Sequence, residues 1–220
     1  MSGRRDTTRG PRITDLPQRH DALLVLDVDE VILHFIAPFC DLLAEYGARL
    51  HFDSFRLTGN VRSVATGTAL TGHQLDGVTD QLYAEQERRQ RPVEGAREAL
   101  DRLRRDADIV FLTAMTPSFF DQRRRLLDAA GLPDPMIATE RSKGGVVAEL
   151  AARWRGPIAF VDDLPPNLET VRRSVPDVHL VHLMANAEFR RHLPPMPAGT
   201  VRAEGWPGAE AALLQIVAGG

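Results

Sequence analysis

The chain has 220 residues, 43% of them hydrophobic, and a formal net charge of -3. That length suits one α/β core with room for a small inserted domain, and a nearly balanced, dispersed charge argues against nucleic acid or a membrane surface as the main partner. The single cysteine, Cys40, excludes an intrachain disulfide or a cysteine-based zinc site and fits a reducing, cytoplasmic setting, and no apolar run reaches the roughly 18–20 residues that span a bilayer.

Residues 1–20 are polar and Arg-rich and lack the apolar stretch of a secretory signal. They read as a disordered tail, with a transit peptide as the alternative. The core then follows as residues 21–33 and 92–220. Residues 23–26 form a continuous apolar run, expected for a strand covered on both faces. Further strands are expected at 109–112, 136–138, 158–161 and 178–183. Val93, Ala96, Leu100 and Leu103 recur at helical spacing. Thr116-Pro117 opens a helix that runs to about Ala130 and stops at Gly131. Helices are expected over 146–154, around Leu168, Val171 and Val175, and over 210–217. Strands alternating with helices imply a Rossmann-like parallel sheet with helices on both faces.

One connection breaks the rhythm. About 60 residues separate the first strand from the next core helix, where a βα loop is usually roughly 2–6. Phe35, Phe39, Leu42, Leu43 and Tyr46 share one helical face, and Gly47 is a natural stop. Residues 76–91 read as a second helix, and 67–72 between them as a flexible link. Residues 34–91 are therefore expected to be a helical cap inserted beside the first strand's C-terminal end. Insertion that merely packs on the core is the alternative.

The chemistry gathers at strand ends, where open α/β sheets bind ligands. Asp27 and Asp29 follow the first strand. Two residues apart, they can reach the same side of the chain. Asp27 can attack a phosphoryl group, and Asp29 can act as general acid and then base. Thr113, at the end of the second strand, and the backbone N–H of Ala114 can hold phosphate oxygens. Lys143, the only lysine in the chain, supplies a point charge. Asp162 and Asp163 end the fourth strand. An attacking carboxylate is repelled by phosphate, so Mg²⁺ is expected. Its ligands would be Asp27, Asp162, the backbone carbonyl of Asp29, and Asp163 directly or through water. Each residue alone is commonplace: a strand-end Asp is usually a turn or cap, and a lone lysine is usually solvated. Jointly they supply a nucleophile, an acid, a phosphate donor, a cation and a metal ligand in order.

In these residues the chain resembles the haloacid dehalogenase-like (HAD) superfamily of hydrolases. DVDEV at 27–31 resembles the first family motif, Thr113 the second, Lys143 the third and Asp162-Asp163 the fourth. The resemblance spans residues 23–220. It implies a Rossmann-like core, Mg²⁺ dependence, an aspartyl-phosphate intermediate and a type C1 cap that chooses the substrate. Glu30 stands where the family often has glycine, and would add a carboxylate near the metal. Val31 stands where it often has threonine. The run from Asp27 to Gly47 also looks like the opening of the 5′(3′)-deoxyribonucleotidase branch, which makes a nucleotide one candidate among small phosphorylated substrates. A dehalogenase would need neither Asp29 nor a metal. A phosphotransferase or phosphomutase shares the intermediate. A non-catalytic binding or regulatory protein on this scaffold would have no use for an intact Asp27 and Asp29. His34, Arg56, Arg62, His73 and Tyr83 are candidate substrate contacts in the insertion.

Overall fold

The computed structural model describes residues 7–219. Strand β1 (Thr8–Arg9) and β2 (Ala22–Leu26) precede the insertion, which holds α1 (Ile36–Glu45), β3 (Ala48–Leu50), β4 (Val61–Ser63), α2 (Gly72–Ala84) and α3 (Gln86–Arg89). Then come α4 (Ala96–Leu103), β5 (Ala107–Thr113), α5 (Phe120–Ala129), β6 (Met136–Thr139), α6 (Lys143–Ala151), β7 (Ile158–Asp162) and α7 (Pro165–Ser174). The chain closes with β8 (His179–Leu183), α8 (Ala187–Arg190), β9 (Val201–Ala203) and α9 (Trp206–Ala218).

Seven strands form one sheet in the order β1-β6-β5-β2-β7-β8-β9. All neighbours run parallel except β1, which lies antiparallel on β6. The buried strands β2, β5 and β7 alternate between two cores. Leu24, Leu26, Ile109, Phe111 and Val161 face α4, α5 and α9. Leu23, Val25, Val110, Leu112 and Phe160 face α6 and α7. From β2 the chain builds outward through β5 and β6 on one side, and later through β7 and β8 on the other. The order therefore reverses between β2 and β7, the switch point where such sheets open a crevice.

The sequence expectation for the N-terminus is corrected from residue 7 onward; residues 1–6 lie outside the described residues. Thr8 pairs with Thr139, and Leu16 is buried in the second core. A two-residue edge strand is held by backbone bonds, which polar composition does not reveal. The insertion is not wholly helical either, because β3 and β4 form an antiparallel pair. The expected flexible link at 67–72 ends in a helix cap. Thr71 accepts from the Gln74 amide while Gln74 bonds back to the Thr71 amide, so α2 starts at Gly72 rather than 76. The expected single helix 76–91 breaks at Glu85. Likewise α4 starts at Ala96, three residues later than the apolar stripe, because Gly95 adopts φ 79°.

The start of α6 carries structural weight. A Cβ on Gly144 would lie 2.5 Å from the Thr170 carbonyl oxygen and 2.6 Å from Ser174 Oγ. Glycine there lets α6 press against α7, which fixes Lys143 one residue earlier.

Candidate active site

Strand register assembles the acidic centre. Leu26 on β2 pairs with Val161 on β7, and the Asp27 amide donates to the Val161 carbonyl at 2.9 Å. Asp27 and Asp162 thus emerge side by side. Lys143, at the first turn of α6, bridges them: its Nζ lies 2.7 Å from Asp27 Oδ1 and 2.6 Å from Asp162 Oδ2. Asp162 Oδ1 also accepts from the Leu164 amide at 2.9 Å and from Asn167 Nδ2 at 3.0 Å.

Asp27, Asp162 and Asp163 bring carboxylate oxygens within 4.8 Å of one another, and all three residues are buried. Burial, opposed by Lys143 and reinforced by Asp162, pushes the Asp27 carboxyl up to about 7. Burial, with Asp162 and then Asp27 adding to it, holds Asp163 well above its ordinary value. Burial opposes charge on Lys143 too, yet Asp162 and Asp27 outweigh it and raise the ammonium above its usual range. One cation thus faces three carboxylates in a dry place. An all-oxygen donor set of this kind fits a hard divalent cation.

Asp29 stands apart from that cluster. Its carboxylate is 3.0 Å from Arg123 Nη1 and accepts from Gln90 Nε2 at 2.9 Å and from the Tyr83 hydroxyl at 3.2 Å. Its side-chain oxygens are not among the clustered ones, which leaves its backbone carbonyl for the ligand role expected from the sequence. Arg123, on α5, is fully buried, lies 5.4 Å from the Tyr83 ring centroid, and donates to Gln86 and Gln90. Thr113 is buried, and its Oγ accepts from the Met115 amide at 3.1 Å, which leaves the hydroxyl proton for another acceptor. Thr113, Ala114, Lys143, Asp29, Asp27 and Asp163 line one cavity of about 220 Å³.

Glu30 lies near the acidic cluster, lining the same cavity and adding to the upward shift of Asp163, but its carboxylate is outside the cluster. Glu30 adopts φ 61°, the left-handed region the family's glycine would occupy without strain. Its Oε1 accepts from the amides of Phe35 and Ile36 at 2.8 and 2.7 Å, and its Oε2 from the Asn186 amide at 2.7 Å. Phe35, the residue preceding α1, has no side-chain oxygen to cap the helix. Glu30 supplies that acceptor and ties α1 to the loop after β8.

Of the insertion's candidate contacts, only Tyr83 lines this cavity. His34 pairs with Glu94, and Arg56 is exposed with its guanidinium over the Phe55 ring. Arg62 and His73 line other cavities in the insertion. Cys40 is half-buried, and burial pushes its thiol up to about 11. Sequence reasoning missed Arg123, Gln86, Gln90 and Asn167. For Arg123 a signal existed: it falls on the helical stripe of Leu126 and Leu127, whereas Arg124 and Arg125 pair with Asp128 and Glu87.

The fold is that of haloacid dehalogenase-like proteins. A HAD family hydrolase from Deinococcus radiodurans R1, solved with phosphate and sodium bound, superposes with a TM-score of 0.59 at 16% identity, covering 90% of this chain and 96% of its own. A haloacid dehalogenase-like protein from Agrobacterium tumefaciens gives 0.58 at 17% identity, with 89% and 99% coverage. A D,D-heptose 1,7-bisphosphate phosphatase from B. bronchiseptica, in complex with magnesium and phosphate, gives 0.51 at 16%, with 88% and 98% coverage. No protein-family model and no curated protein matches the chain by sequence. Among the described residues no helix is long and apolar enough to cross a membrane.

Proposed function

We propose that the protein is a Mg²⁺-dependent phosphatase that hydrolyses a small phosphorylated metabolite through an aspartyl-phosphate on Asp27. The observation that carries this reading is the buried cluster of Asp27, Asp162 and Asp163 around a single lysine at the switch point of the sheet. Asp27, Asp162 and Asp163 would hold the cation, which would screen the charge between carboxylate and phosphate.

Asp27 attacks phosphorus, and the ester P–O bond breaks. Asp29, carrying a proton, gives it to the departing oxygen, so the alcohol leaves neutral. Asp29 then takes a proton from water, and the resulting hydroxide attacks phosphorus. The Asp27–phosphorus bond breaks, releasing inorganic phosphate and restoring both carboxyl groups. Thr113, the Ala114 amide and Lys143 hold the phosphate oxygens. Residues 34–91 act as a cap that covers the site during attack. The single cysteine supports a reducing, cytoplasmic setting.

The test is phosphate release with a panel of phosphorylated metabolites, including nucleoside monophosphates. Activity should require Mg²⁺, vanish with chelator, and be lost in Asp27→Asn while the fold persists. Full turnover in excess chelator would favour a dehalogenase-like reaction. Activity retained in purified Asp27→Asn rules out the covalent intermediate.

A further inference from the structure

The walls of the cavity beyond the acidic centre are apolar. The insertion contributes Phe35, Phe55 and Leu57, and the core loops contribute Leu164, Met184 and Phe189. Most polar side chains in the lining are already engaged. Lys143 pairs with Asp27 and with Asp162 behind the lining, the Asn167 amide donates to Asp162, and Asp163 belongs to the same cluster. The Tyr83 hydroxyl is committed to Asp29, and Asp29 to Arg123 and Gln90. Glu30 is filled by three backbone amides, and Thr113 faces the phosphate position. Lys143 is the one cation in the lining. Beyond Lys143 no cationic side chain in the lining could neutralise a second phosphate, and few uncommitted polar groups remain for the hydroxyls of a sugar. A buried hydroxyl without a partner is costly, whereas an apolar group gains from every surface it covers.

Resting on the phosphatase reading above, we infer that the substrate is a phosphate monoester of a compact, apolar alcohol, such as one ring or a short branched chain. The volume of about 220 Å³ is small for a ligand site, which commonly spans roughly 300–1,000 Å³. Little enclosed space remains beside the phosphoryl group, although the cavity opens to solvent. The Phe35 and Phe39 rings stack with centroids 5.5 Å apart, and Phe52 meets Phe189 edge-on at 6.1 Å. Neighbouring rings thus brace two of the cavity's aromatic walls rather than leaving them free to swing aside.

Benzyl phosphate and glucose 6-phosphate both release a primary alcohol, so their comparison reads the pocket rather than leaving-group chemistry. With saturating Mg²⁺, kcat/KM for benzyl phosphate should exceed that for glucose 6-phosphate and thymidine monophosphate by at least about tenfold, the scale of discrimination by an apolar pocket. Acetyl phosphate, which has almost no leaving group to bind, reports the phosphoryl chemistry alone. In Phe55→Ser, kcat/KM for benzyl phosphate should fall several-fold more than that for acetyl phosphate. Equal or better turnover of glucose 6-phosphate or thymidine monophosphate, or an unmoved benzyl-to-acetyl ratio in Phe55→Ser, overturns the inference. If acetyl phosphate is still hydrolysed in that case, the phosphatase reading stands. If none of the four compounds is hydrolysed, both fall.

Discussion

Metal-stripped protein should lose stability as the pH rises, and Asp27→Asn should lessen that loss. Burial pushes the Asp27 carboxyl up to about 7, against an ordinary 3.8. Between those values the unfolded chain has released its proton while the native chain keeps it, so rising pH favours unfolding. Above about 7 both states are ionised and the slope ends. From pH 5.5 to 8, only the stretch below 7 contributes. At about 1.36 kcal/mol per unit over 1.5 units, the wild type should lose about 2 kcal/mol through this carboxyl. Asp27 is only 6% exposed, so solvent screens little of this. Asp163 acts in the same direction. His182 acts oppositely, because burial lowers its value and its stabilising contribution is lost as the pH falls below 6.5. His182 remains in Asp27→Asn, whereas Asp163 is raised partly by Asp27, so the difference between the proteins reads Asp27 together with its coupling to Asp163. Urea unfolding of both proteins, metal-stripped, at the two pH values measures it. Saturating Mg²⁺ should restore the wild type at pH 8 by binding the native state. Equal pH slopes in the two metal-stripped proteins would refute the reasoning.

Three further outcomes are expected. Arg123→Met removes the cation beside Asp29 and strands the oxygens of Gln86 and Gln90. It should cost about 3–5 kcal/mol in urea unfolding and lower kcat on acetyl phosphate. A loss under about 1 kcal/mol would show that Arg123 is not needed to hold Asp29. Glu30→Gln keeps the shape but replaces one acceptor oxygen with a donor, so it should cost about 1–3 kcal/mol and expose the Phe35 and Ile36 amides, or that of Asn186, to faster hydrogen exchange. Gly144→Ala should separate α6 from α7, costing about 1–3 kcal/mol and weakening Mg²⁺ binding by displacing Lys143; unchanged Mg²⁺ affinity would show that the helix contact does not position the lysine.

The sheet was legible because its strands are covered on both faces and read as apolar runs. Residues 109–112 and 158–161 fall inside β5 and β7. The grouping of Asp27, Asp162 and Lys143 follows from strand ends and one helix start, and both have local signatures. What stayed hidden depends on contacts distant in sequence. Arg123 meets Asp29 across 94 residues, and no local pattern reports such a pairing. The strand at Val201–Ala203 is three residues long and lies beyond a Pro-rich stretch. Glu30 was visible as a carboxylate, but its partners are backbone amides, which every residue but proline carries. Only the missing cap at Phe35 hinted that α1 needed an acceptor from elsewhere.

The fastening of Asp29 bears on how this protein can be recombined with its structural relatives. Two of the groups that hold it, Tyr83 and Gln90, come from residues 34–91, whereas Asp27, Asp162 and Asp163 do not. A chimera spliced at the borders of that segment would inherit the Asp27, Asp162 and Asp163 cluster intact and an Asp29 with new neighbours. It would also orphan Met184, Phe189 and Leu193, which pack into the insertion's apolar cluster although they lie about a hundred residues downstream. The transferable module is therefore discontinuous: residues 34–91, residues 184–193 and Glu30, whose carboxylate joins the two. Carrying all three across preserves the joint, whereas moving the insertion alone changes the surroundings of Asp29 along with the apolar wall.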